Sequence, residues 1–381
     1  MKKTLLPMPV MFHPRLSKIA TRPSDFLERM NLYASNISNR IDNAEFKLTL
    51  LVGLHSADLP GNLSSSYPHL RVIRVSSPTL NFRSFAKRSM VILDTLQIRP
   101  NLFIAGDTSL GLLSCFRARS ISNLEIPIQI SIHGSFFGHR RDPISFAKSF
   151  MRIALLRLSL PSVQSVRVVS PEVKQEMIVS FRVDPRKIFI APIPFSVYPI
   201  FHSRDFQSIS IGVIGRLHTE RNVIEILEIL DSILASSRIS KVYFLGSGPL
   251  KKIVRVWKCK SEHPEKITLE GSLSHLELLN RLIDVDVVIS AAVKEGYGLA
   301  IREALLSGAI VVARRNEGTQ IVMESFQSGI YLYDTVFEAN GIISNLLAGD
   351  KSPAQCIEGR KIQEAIDHES MKRICESWTA N

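Results

Sequence analysis

Residues 285–313 read VDVVISAAVKEGYGLAIREALLSGAIVVA and carry the clearest structural signal in the chain. An apolar run is followed by a glycine-containing loop, a helical pattern and a second apolar run. Short apolar runs that alternate with helix-sized segments are typical of βαβ units, in which the strands form a parallel sheet. We therefore predict strands at Val285–Ser290 and Ile310–Ala313, with a helix that begins near Leu299 between them.

The same alternation continues through the rest of the chain. The opening Met1-Lys2-Lys3 faintly resembles a signal peptide, but two prolines and the lack of a small-residue cleavage site favour a first strand at Thr4–Phe12. The stretch Ala191–Asp205 interrupts the alternation with three prolines and is predicted to be a linker. The other predicted strands are Phe46–Leu54, Leu70–Val75, Asn101–Ala105, Pro127–His133, Ser165–Ser170, Lys187–Ala191, Ser208–Ile214, Lys241–Leu245, Ile267–Leu269 and Gly329–Tyr333.

The length of 381 residues exceeds what one hydrophobic core usually organises, so we predict two domains. The pattern restarts after the linker, which indicates two tandem Rossmann-like α/β domains, residues 1–195 and 196–381. The C-terminal helices can pack back on the first domain. Two such domains leave an interdomain cleft, and ligands of these sheets bind at the carboxyl ends of strands, near helix N-termini. Chemistry is therefore expected in the loops that lead from strands into helices.

Composition points to a globular protein. Hydrophobic residues make up 45% and charged residues 22%, which excludes a disordered or fibrous chain. The apolar stretches are too short or too charged to span a membrane. The four cysteines, Cys115, Cys259, Cys356 and Cys375, lack the spacing of a zinc site or redox motif and are interpreted as reduced thiols. We therefore expect a cytoplasmic protein.

Positive charge is concentrated in the first half. Residues 1–200 hold 26 Lys and Arg against 12 Asp and Glu, whereas residues 201–381 hold 21 against 23. This excess predicts an anionic partner, which can be an acceptor, a phospholipid surface or nucleic acid. No recognised DNA-binding or RNA-binding module appears, so we predict no nucleic-acid partner.

The segment Ser145–Leu160 is a candidate membrane contact. Its apolar residues recur at helical spacing and are interrupted by basic residues, so we predict peripheral docking on the inner face of the cell membrane. A core-packed helix with solvated basic residues is the alternative. The apolar residues are Phe146, Phe150, Ile153, Leu156 and Leu160, and the basic residues are Lys148, Arg152 and Arg157.

The loop Gly212–Arg221 follows an apolar strand and precedes a helix that begins near Asn222. Gly215 lets the backbone approach a ligand closely. Arg216 and Arg221 can both reach an anion at the mouth of the helix, because guanidinium groups bind phosphate through paired hydrogen bonds. Two solvated surface arginines are the alternative.

The loop after Ser290 gives a sharper signal. Its segment Gly296-Tyr297-Gly298-Leu299 supplies backbone amides at the N-terminus of a helix, where the partial positive charge favours a diphosphate. Glu295 precedes this helix and Glu303 lies about one turn inside it. One carboxylate can therefore face a reacting sugar and the other a ribose diol. An ordinary solvated glutamate is the alternative for Glu303.

The second half of the chain resembles the donor domain of retaining glycosyltransferase family four, the group one glycosyltransferases of the GT-B fold. Three motifs carry the resemblance, in family order: Gly215-Arg216-Leu217, Gly246-Ser247-Gly248-Pro249, and the Glu-x7-Glu element from Glu295 to Glu303. The resemblance covers about residues 208–335. The first half resembles the family only in layout and in His133-Gly134 at the end of a strand.

The resemblance implies a reaction and a role for each motif residue. A hexosyl-type sugar passes from a nucleoside diphosphate sugar to a hydroxyl acceptor, on a glycan or a lipid, with retained configuration, in the synthesis of surface polysaccharide or glycolipid. Arg216 and Arg221 neutralise the donor diphosphate and Glu303 binds the ribose. Glu295 lies near the donor sugar, which His133 reaches from the first domain. Glu295, His133 and Arg216 are thus expected to be catalytic.

Three segments depart from the family pattern. Arg221-Asn222 stands where lysine and glycine are usual, Asn316–Gln320 replaces Gly-Gly and a later glutamate, and Pro192-Ile193-Pro194 replaces Pro-Asn-Gly. The first half also lacks the glycine-rich loop that receives the acceptor in many members. The residues that we expect to shape the acceptor side follow His133 and are Phe136, Phe137, His139, Arg140 and Arg141.

The segment Asp284-Val285-Asp286 matches the metal-binding DxD motif of another glycosyltransferase fold. It opens a strand, away from the carboxyl end where a ligand binds, so we expect these aspartates to cap the preceding helix or start the strand. Arg216, Arg221 and the helix amides can neutralise the leaving group instead. We therefore predict no metal and no cofactor besides the donor substrate.

Two other functions fit the same scaffold. A sugar-nucleotide epimerase would use the same donor without an acceptor, although the Glu-x7-Glu element disfavours it. A catalytically silent family member, acting as a sugar-nucleotide sensor or partner subunit, would account for the altered Asn316–Gln320 segment. The retention of Glu295, Glu303 and Arg216 favours the enzyme.

Overall fold

The chain folds into two α/β units in a computed structural model. The structure describes residues 7–14, 25–43, 45–54, 67–76, 81–134, 143–204, 206–349 and 358–379, without the side chains of 25, 54, 143–149 and 152. The N-terminal unit takes in the described residues of 1–134, 143–196 and 367–379, and the C-terminal unit those of 197–366. The predicted architecture of two Rossmann-like domains is confirmed.

The N-terminal unit is built on a seven-stranded sheet. Its strands are β1 (Pro9–His13), β2 (Leu48–Leu54), β3 (Leu70–Ser76), β4 (Leu102–Ala105), β5 (Ile128–Ile132), β6 (Ser165–Val168) and β7 (Ile188–Ile190). They pair in parallel in the order β3-β2-β1-β4-β5-β6-β7. The strand order reverses between β1 and β4, and such a reversal opens a crevice at the carboxyl ends of the strands.

The C-terminal unit is built on a six-stranded sheet. Its strands are β8 (Ile209–Ile214), β9 (Ile239–Leu245), β10 (Ile267–Leu269), β11 (Val287–Ser290), β12 (Ile310–Arg314) and β13 (Ile330–Tyr333). They pair in parallel in the order β10-β9-β8-β11-β12-β13. Here the order reverses between β8 and β11, which places the loops after these two strands beside each other.

Helices connect the strands in both units. In chain order they are α1 (Asp25–Arg40), α2 (Phe82–Thr95), α3 (Leu110–Ser122), α4 (Pro143–Ser159), α5 (Pro171–Phe181), α6 (Val223–Ile233), α7 (Lys251–Lys260), α8 (His275–Arg281), α9 (Leu299–Leu306), α10 (Glu317–Phe326), α11 (Val336–Ala348) and α12 (Gly359–Thr379).

The local sequence explains why these elements form. Consecutive apolar residues in β11 and β12 are buried because helices cover both faces of a parallel sheet. In α6, Ile226, Ile229, Leu230 and Ile233 recur at helical spacing and are buried against the sheet. A strand occurs at each predicted place, although the first one is observed at Pro9–His13 and residues 4–6 of its predicted range lie outside the described residues. Helix α9 begins at Leu299 as predicted.

The end of α12 belongs to the N-terminal unit. Trp378 and Ile374 lie in one hydrophobic cluster with Tyr33 of α1. The hydroxyl of Ser370 donates a hydrogen bond of 2.6 Å to the carbonyl of Pro192, which follows β7. The final turns of the chain therefore help to close the N-terminal core.

Helix α4 is the candidate membrane contact, and part of that expectation is wrong. Leu156 and Leu160 are fully buried, so this side of the segment packs in the core, as the alternative interpretation held. Phe150, Met151 and Leu158 are exposed by 64%, 67% and 81% and lie on the other side of the helix. The side chains of Phe146, Lys148 and Arg152 lie outside the described residues.

Two further observations concern the described part of the chain. No helix in it is long and apolar enough to cross a membrane. Cys115, Cys259 and Cys375 are free thiols, and Cys356 lies outside the described residues.

Candidate functional site

Two glycine turns interlock at the carboxyl edge of the C-terminal sheet. Gly215 follows β8 with φ +110°, and a β-carbon added at Gly246 would lie 1.9 Å from the carbonyl oxygen of Gly215. A β-carbon at Gly248 would lie 2.4 Å from the carbonyl oxygen of Leu217. The amide of Leu217 donates a hydrogen bond of 3.2 Å to the carbonyl of Ser247. The Gly-Arg-Leu and Gly-Ser-Gly-Pro motifs thus form one structural unit that fixes the backbone around Arg216.

Arg216 projects from this unit into solvent. Its guanidinium group lies 3.3 Å from the carboxylate of Glu220, and the two side chains are 69% and 57% exposed. Exposed ion pairs of this kind contribute little to stability. Arg216 can therefore leave Glu220 for an anionic ligand at small cost.

Arg221 contacts the carboxylate of Glu295, the residue that precedes the Gly-Tyr-Gly segment. It ends a short 3-10 turn, Thr219–Arg221, and its Nη1 lies 2.5 Å from Oε2 of Glu295. Glu295 is only 9% exposed. The arginine that was predicted to bind the diphosphate and the glutamate that was predicted to be catalytic thus form one ion pair. The sequence alone did not predict this contact.

The loop around Glu295 is held by the start of α10. A β-carbon at Gly318 would lie 2.1 Å from the carbonyl oxygen of Glu295, so this approach requires glycine. Asn316 caps α10 together with Thr319, and its Nδ2 donates a hydrogen bond of 2.9 Å to the carbonyl of Ala292. The segment Asn316–Gln320, which departs from the family pattern, therefore packs against the loop that carries Glu295.

The segment Gly296-Tyr297-Gly298-Leu299 forms the N-terminus of α9, as predicted. Gly298 adopts a left-handed conformation with φ +72°, which glycine favours. Tyr297 is buried, and its ring stacks on the guanidinium of Arg302 at 4.4 Å. This packing fixes the loop, while the first backbone amides of α9 have no partner within their own helix, as at any helix start.

Glu303 is 3% exposed, so the alternative interpretation, an ordinary solvated glutamate, is wrong. Its Oε1 lies 2.7 Å from Nε2 of His275, the first residue of α8. No sequence signal identified His275 as a site residue. The capping box of Ser274 and Glu277 marks the helix start but not what the next side chain contacts.

Glu225 of α6 is the centre of a separate hydrogen-bond network. Oε2 of Glu225 accepts hydrogen bonds of 2.6 Å from both Asn222 and Arg314, and Oε1 accepts one of 2.9 Å from Tyr333. Burial, followed by the charge of Glu225, raises the pKa of Tyr333 above its ordinary value, so its hydroxyl stays protonated. This network joins α6, β12 and β13 and gives Asn222 a structural role.

The aspartates of the DxD-like segment are engaged in structural contacts. Asp284 pairs with Arg281 at 2.9 Å, and Asp286 accepts hydrogen bonds of 2.8 Å from the amide and hydroxyl of Ser210 in β8. Both lie before β11 begins at Val287. Among the described residues, no cluster of three or more His, Cys, Asp or Glu side chains could hold a metal ion.

His133 follows β5 in the N-terminal unit and lines a cavity there. Enclosure by the cavity wall, followed by the positive charges of Arg167 and Arg29, lowers the pKa of His133 well below its ordinary value, although part of the residue remains accessible to water. The candidate acceptor residues Phe136, Phe137, His139, Arg140 and Arg141 lie outside the described residues.

Residues 202–363 match the family model of the glycosyl transferases group 1. The match includes the interlocked glycine turns, Arg216, Arg221 and the loop that carries Glu295. The chain is also 22% identical over 232 residues to the GPI3 subunit of phosphatidylinositol N-acetylglucosaminyltransferase from Saccharomyces cerevisiae. That alignment covers 58% of this chain and 49% of the yeast protein, so the chain spans about half the length of the curated relatives it matches.

Solved structures show the same fold over nearly the whole chain. HepE from Anabaena, in complex with UDP, superposes with a TM-score of 0.67 at 14% identity and covers 98% of this chain and 100% of its own. Sucrose-phosphate synthase from Thermosynechococcus elongatus superposes with a TM-score of 0.69 at 13% identity and covers 97% and 98%. These likenesses establish the two-domain GT-B fold.

Proposed function

We propose that this protein is a metal-independent glycosyltransferase that moves a hexosyl-type sugar from a nucleoside diphosphate sugar to a hydroxyl acceptor, with retention of configuration. One observation carries the proposal. Arg221 and Glu295 form an ion pair that joins the loop after β8 to the loop before α9, and Arg216 lies on the first of these loops, within the residues that match the group 1 family. Positive groups beside a carboxylate suit a ligand that joins a diphosphate to a sugar.

The donor diphosphate binds between the two arginines and the first amides of α9. Nη1 of Arg221 donates to Glu295, so Nε and Nη2 of Arg221 can donate to a phosphate oxygen. Arg216 exchanges its exposed contact with Glu220 for the same diphosphate. The HepE structures in complex with UDP and UDP-glucose support a uridine diphosphate donor.

The nucleoside side of the donor lies at Glu303. One carboxylate oxygen is engaged by His275, and the other is available for a ribose hydroxyl. Because Glu303 is almost fully buried, His275 fixes its position before the donor binds. His275 is therefore a positioning residue in this proposal.

In the reaction, the bond between the anomeric carbon and the diphosphate oxygen breaks. A bond forms from the acceptor oxygen to the same carbon, and the acceptor hydroxyl passes its proton to an oxygen of the departing diphosphate. Negative charge grows on the departing diphosphate, where the arginines and helix amides stabilise the transition state more than the ground state. Glu295 stabilises the positive charge that develops on the sugar, and His133 of the N-terminal unit is proposed as a further catalytic residue.

The acceptor is proposed to be a glycan or a lipid-linked hydroxyl compound, in surface polysaccharide or glycolipid synthesis. The name of the yeast relative, a phosphatidylinositol N-acetylglucosaminyltransferase subunit, supports a lipid acceptor. The exposed Phe150, Met151 and Leu158 of α4 are the proposed contact with an anionic membrane, in a half of the chain rich in basic residues.

Liposome cosedimentation tests the membrane contact. Binding should require anionic lipid, weaken with salt and fall when Phe150, Met151 and Leu158 are replaced by Ser. Substitution of Val91 by Ser, an exposed apolar residue on α2, is the matched control and should leave binding unchanged. Equal binding to neutral and anionic vesicles would overturn this part of the proposal and leave the transferase assignment intact.

A panel of nucleotide sugars tests the activity itself. The purified protein is incubated with each donor, with and without crude polysaccharide or lipid acceptors, and released nucleoside diphosphate is measured. Acceptor-dependent release from one donor supports the transferase. Donor binding without release would indicate the silent family member, and conversion of the donor to its epimer would indicate the epimerase.

A further inference from the structure

The N-terminal unit contains a cavity of about 310 Å³ over one face of its sheet. Strand register places the inner residues side by side, since Met11 pairs with Ile104 and Ser131 with Arg167. Tyr33 of α1 and Trp378 of α12 line the opposite wall. The cavity therefore lies where the strand order of this sheet reverses, the usual place for a ligand in such folds.

Arg167 is an unusual residue for this wall. It is 3% exposed and lies on β6, a strand paired on both sides within a parallel sheet, where apolar residues are the rule. Its Nε donates to the carbonyl of Ala191 at 2.9 Å, and its Nη2 donates to the carbonyl of Pro192 at 2.8 Å and to the hydroxyl of Tyr33 at 3.2 Å. In the described part of the chain, no carboxylate forms an ion pair with it. A buried guanidinium group held only by neutral acceptors is costly without a counter-charge.

Gln129 is a second polar residue that the fold itself does not require. It is 1% exposed and lines the cavity from β5. Its Oε1 atom has no hydrogen-bond partner among the described residues. Buried polar groups are nearly always paired, so this amide indicates a partner supplied by a ligand.

Among the described residues that line the cavity, the charged side chains are arginines, with no Asp or Glu. Arg29 lines the same cavity from α1, and it acts with Arg167 to favour the neutral form of the His133 imidazole. The apolar part of the wall includes Phe26 and Met30. Such a lining suits a compact anion that also carries hydroxyl groups for amide and imidazole partners.

We propose that this cavity binds a small hydroxylated anion, such as a phosphorylated or carboxylated sugar or polyol, through Arg167, Arg29 and Gln129. The anionic group faces the two guanidinium groups, and a hydroxyl group of the ligand donates to Oε1 of Gln129. If the protein is the proposed transferase, this ligand is the charged portion of its acceptor. Only that last assignment rests on the proposed function.

Calorimetry without any donor tests the cavity by itself. The probes are glucose 6-phosphate, gluconate and glucose, which present a phosphate, a carboxylate and no charge on similar polyols. At least one of the two anions should bind, and glucose should bind about tenfold more weakly or not at all. Which anion binds distinguishes a phosphate ligand from a carboxylate ligand.

Variants separate the cavity from other basic surfaces. Arg29→Gln and Gln129→Leu should each weaken binding of the preferred anion by about tenfold. Neither change removes the Arg167 contacts that hold Ala191 and Pro192, and circular dichroism checks that the fold is retained. Arg99→Gln, an exposed arginine on the same unit, is the matched control and should leave binding unchanged.

Failure of this inference is distinguishable from failure of the proposed function. The inference is overturned if neither anion binds, if glucose binds as tightly as the anions, or if Arg29→Gln and Gln129→Leu bind like the unmodified protein. A protein that binds the anion but transfers no sugar would contradict the proposed function alone. A protein that transfers sugar but binds neither anion would contradict this inference alone.

Discussion

Nη1 of Arg221 lies 2.5 Å from Oε2 of Glu295, so the two loops of the candidate donor site are joined by one ion pair before any ligand binds. The carboxylate is almost fully buried, whereas the guanidinium is about one-third exposed. A partly buried pair of this kind fixes geometry more than it adds stability. We interpret it as the contact that orients Glu295 toward the donor sugar.

Glu295→Gln should lower turnover by more than about tenfold while donor affinity changes less. The substitution keeps the shape and a hydrogen-bond acceptor for Arg221, but it removes the charge that is needed as the glycosidic bond breaks. Steady-state kinetics compared with donor binding by calorimetry measure the two effects. Glu364→Gln, an exposed glutamate paired with Arg360, is the control. A fully active Glu295→Gln protein would contradict the role assigned to Glu295.

Arg216→Ala should weaken the binding of UDP and of the donor sugar nucleotide equally, by about 1.5–3 kcal/mol, because a charged contact to phosphate is lost in both. Calorimetry measures both affinities. Arg315→Ala removes another exposed arginine of the same unit, which pairs with Asp334 at 2.9 Å, and should leave them unchanged. Unaltered UDP affinity in Arg216→Ala would remove Arg216 from the site.

Gly318→Ala should abolish most activity, because the new methyl group would lie 2.1 Å from the carbonyl oxygen of Glu295 and displace its loop. Gly341→Ala is a matched control within α11, where nothing lies within 4 Å of the added carbon. That change should stabilise the fold by about 0.5–1 kcal/mol and leave activity intact. Melting curves and turnover test both, and equal behaviour of the two variants would refute the packing argument.

Much of the fold could be predicted from the sequence alone, because the spacing of apolar residues along the chain differs between strands and helices. Glycine loops mark strand ends, and the start of α9 at Leu299 follows from the Gly-Tyr-Gly segment. The face of α4 could not be assigned in this way. Leu156 and Phe150 belong to the same apolar pattern, but one is buried in the core and the other is exposed, and only the packing of neighbouring elements decides between them.

The partners of the site carboxylates were also beyond sequence reasoning. His275 forms a hydrogen bond with Glu303, and Tyr333 forms one with Glu225, although each pair lies on elements that are distant along the chain. No local spacing encodes such contacts, since they depend on how helices and strands pack. Arg167 and Gln129 could have been noticed as polar residues inside apolar strands, a pattern that indicates either a buried network or a ligand.

The imidazole of His133 should stay neutral well below pH 6.5. The pKa of the ring is lowered in the folded protein, first by enclosure and then by the charges of Arg167 and Arg29. Below about pH 6.5 the unfolded chain therefore binds a proton at His133 more readily than the folded protein does. The contribution of His133 to stability thus falls as pH decreases below about 6.5. An NMR titration of the ring, assigned with a His133→Asn variant, measures this directly. An ordinary titration near pH 6.5 would show that neither enclosure nor the charges of Arg167 and Arg29 lower the pKa of this ring.

Activity should persist in excess EDTA, because the arginines and helix amides are proposed to carry the charge of the leaving group. The contacts of Asp284 with Arg281 and of Asp286 with Ser210 support this expectation. Turnover with and without chelator, followed by addition of Mg²⁺ or Mn²⁺, is the measurement. Loss in EDTA with recovery on adding either metal would require a metal site in this protein.

The most direct test of the account follows a sugar-labelled nucleotide donor through the reaction. Labelled sugar on the acceptor and released nucleoside diphosphate are quantified together, for the unmodified protein and for Glu295→Gln. The unmodified protein should give equal amounts of the two products, and the variant should give little of either. Diphosphate release without sugar transfer to any acceptor tested, or equal transfer by the variant, would contradict the proposed transferase activity.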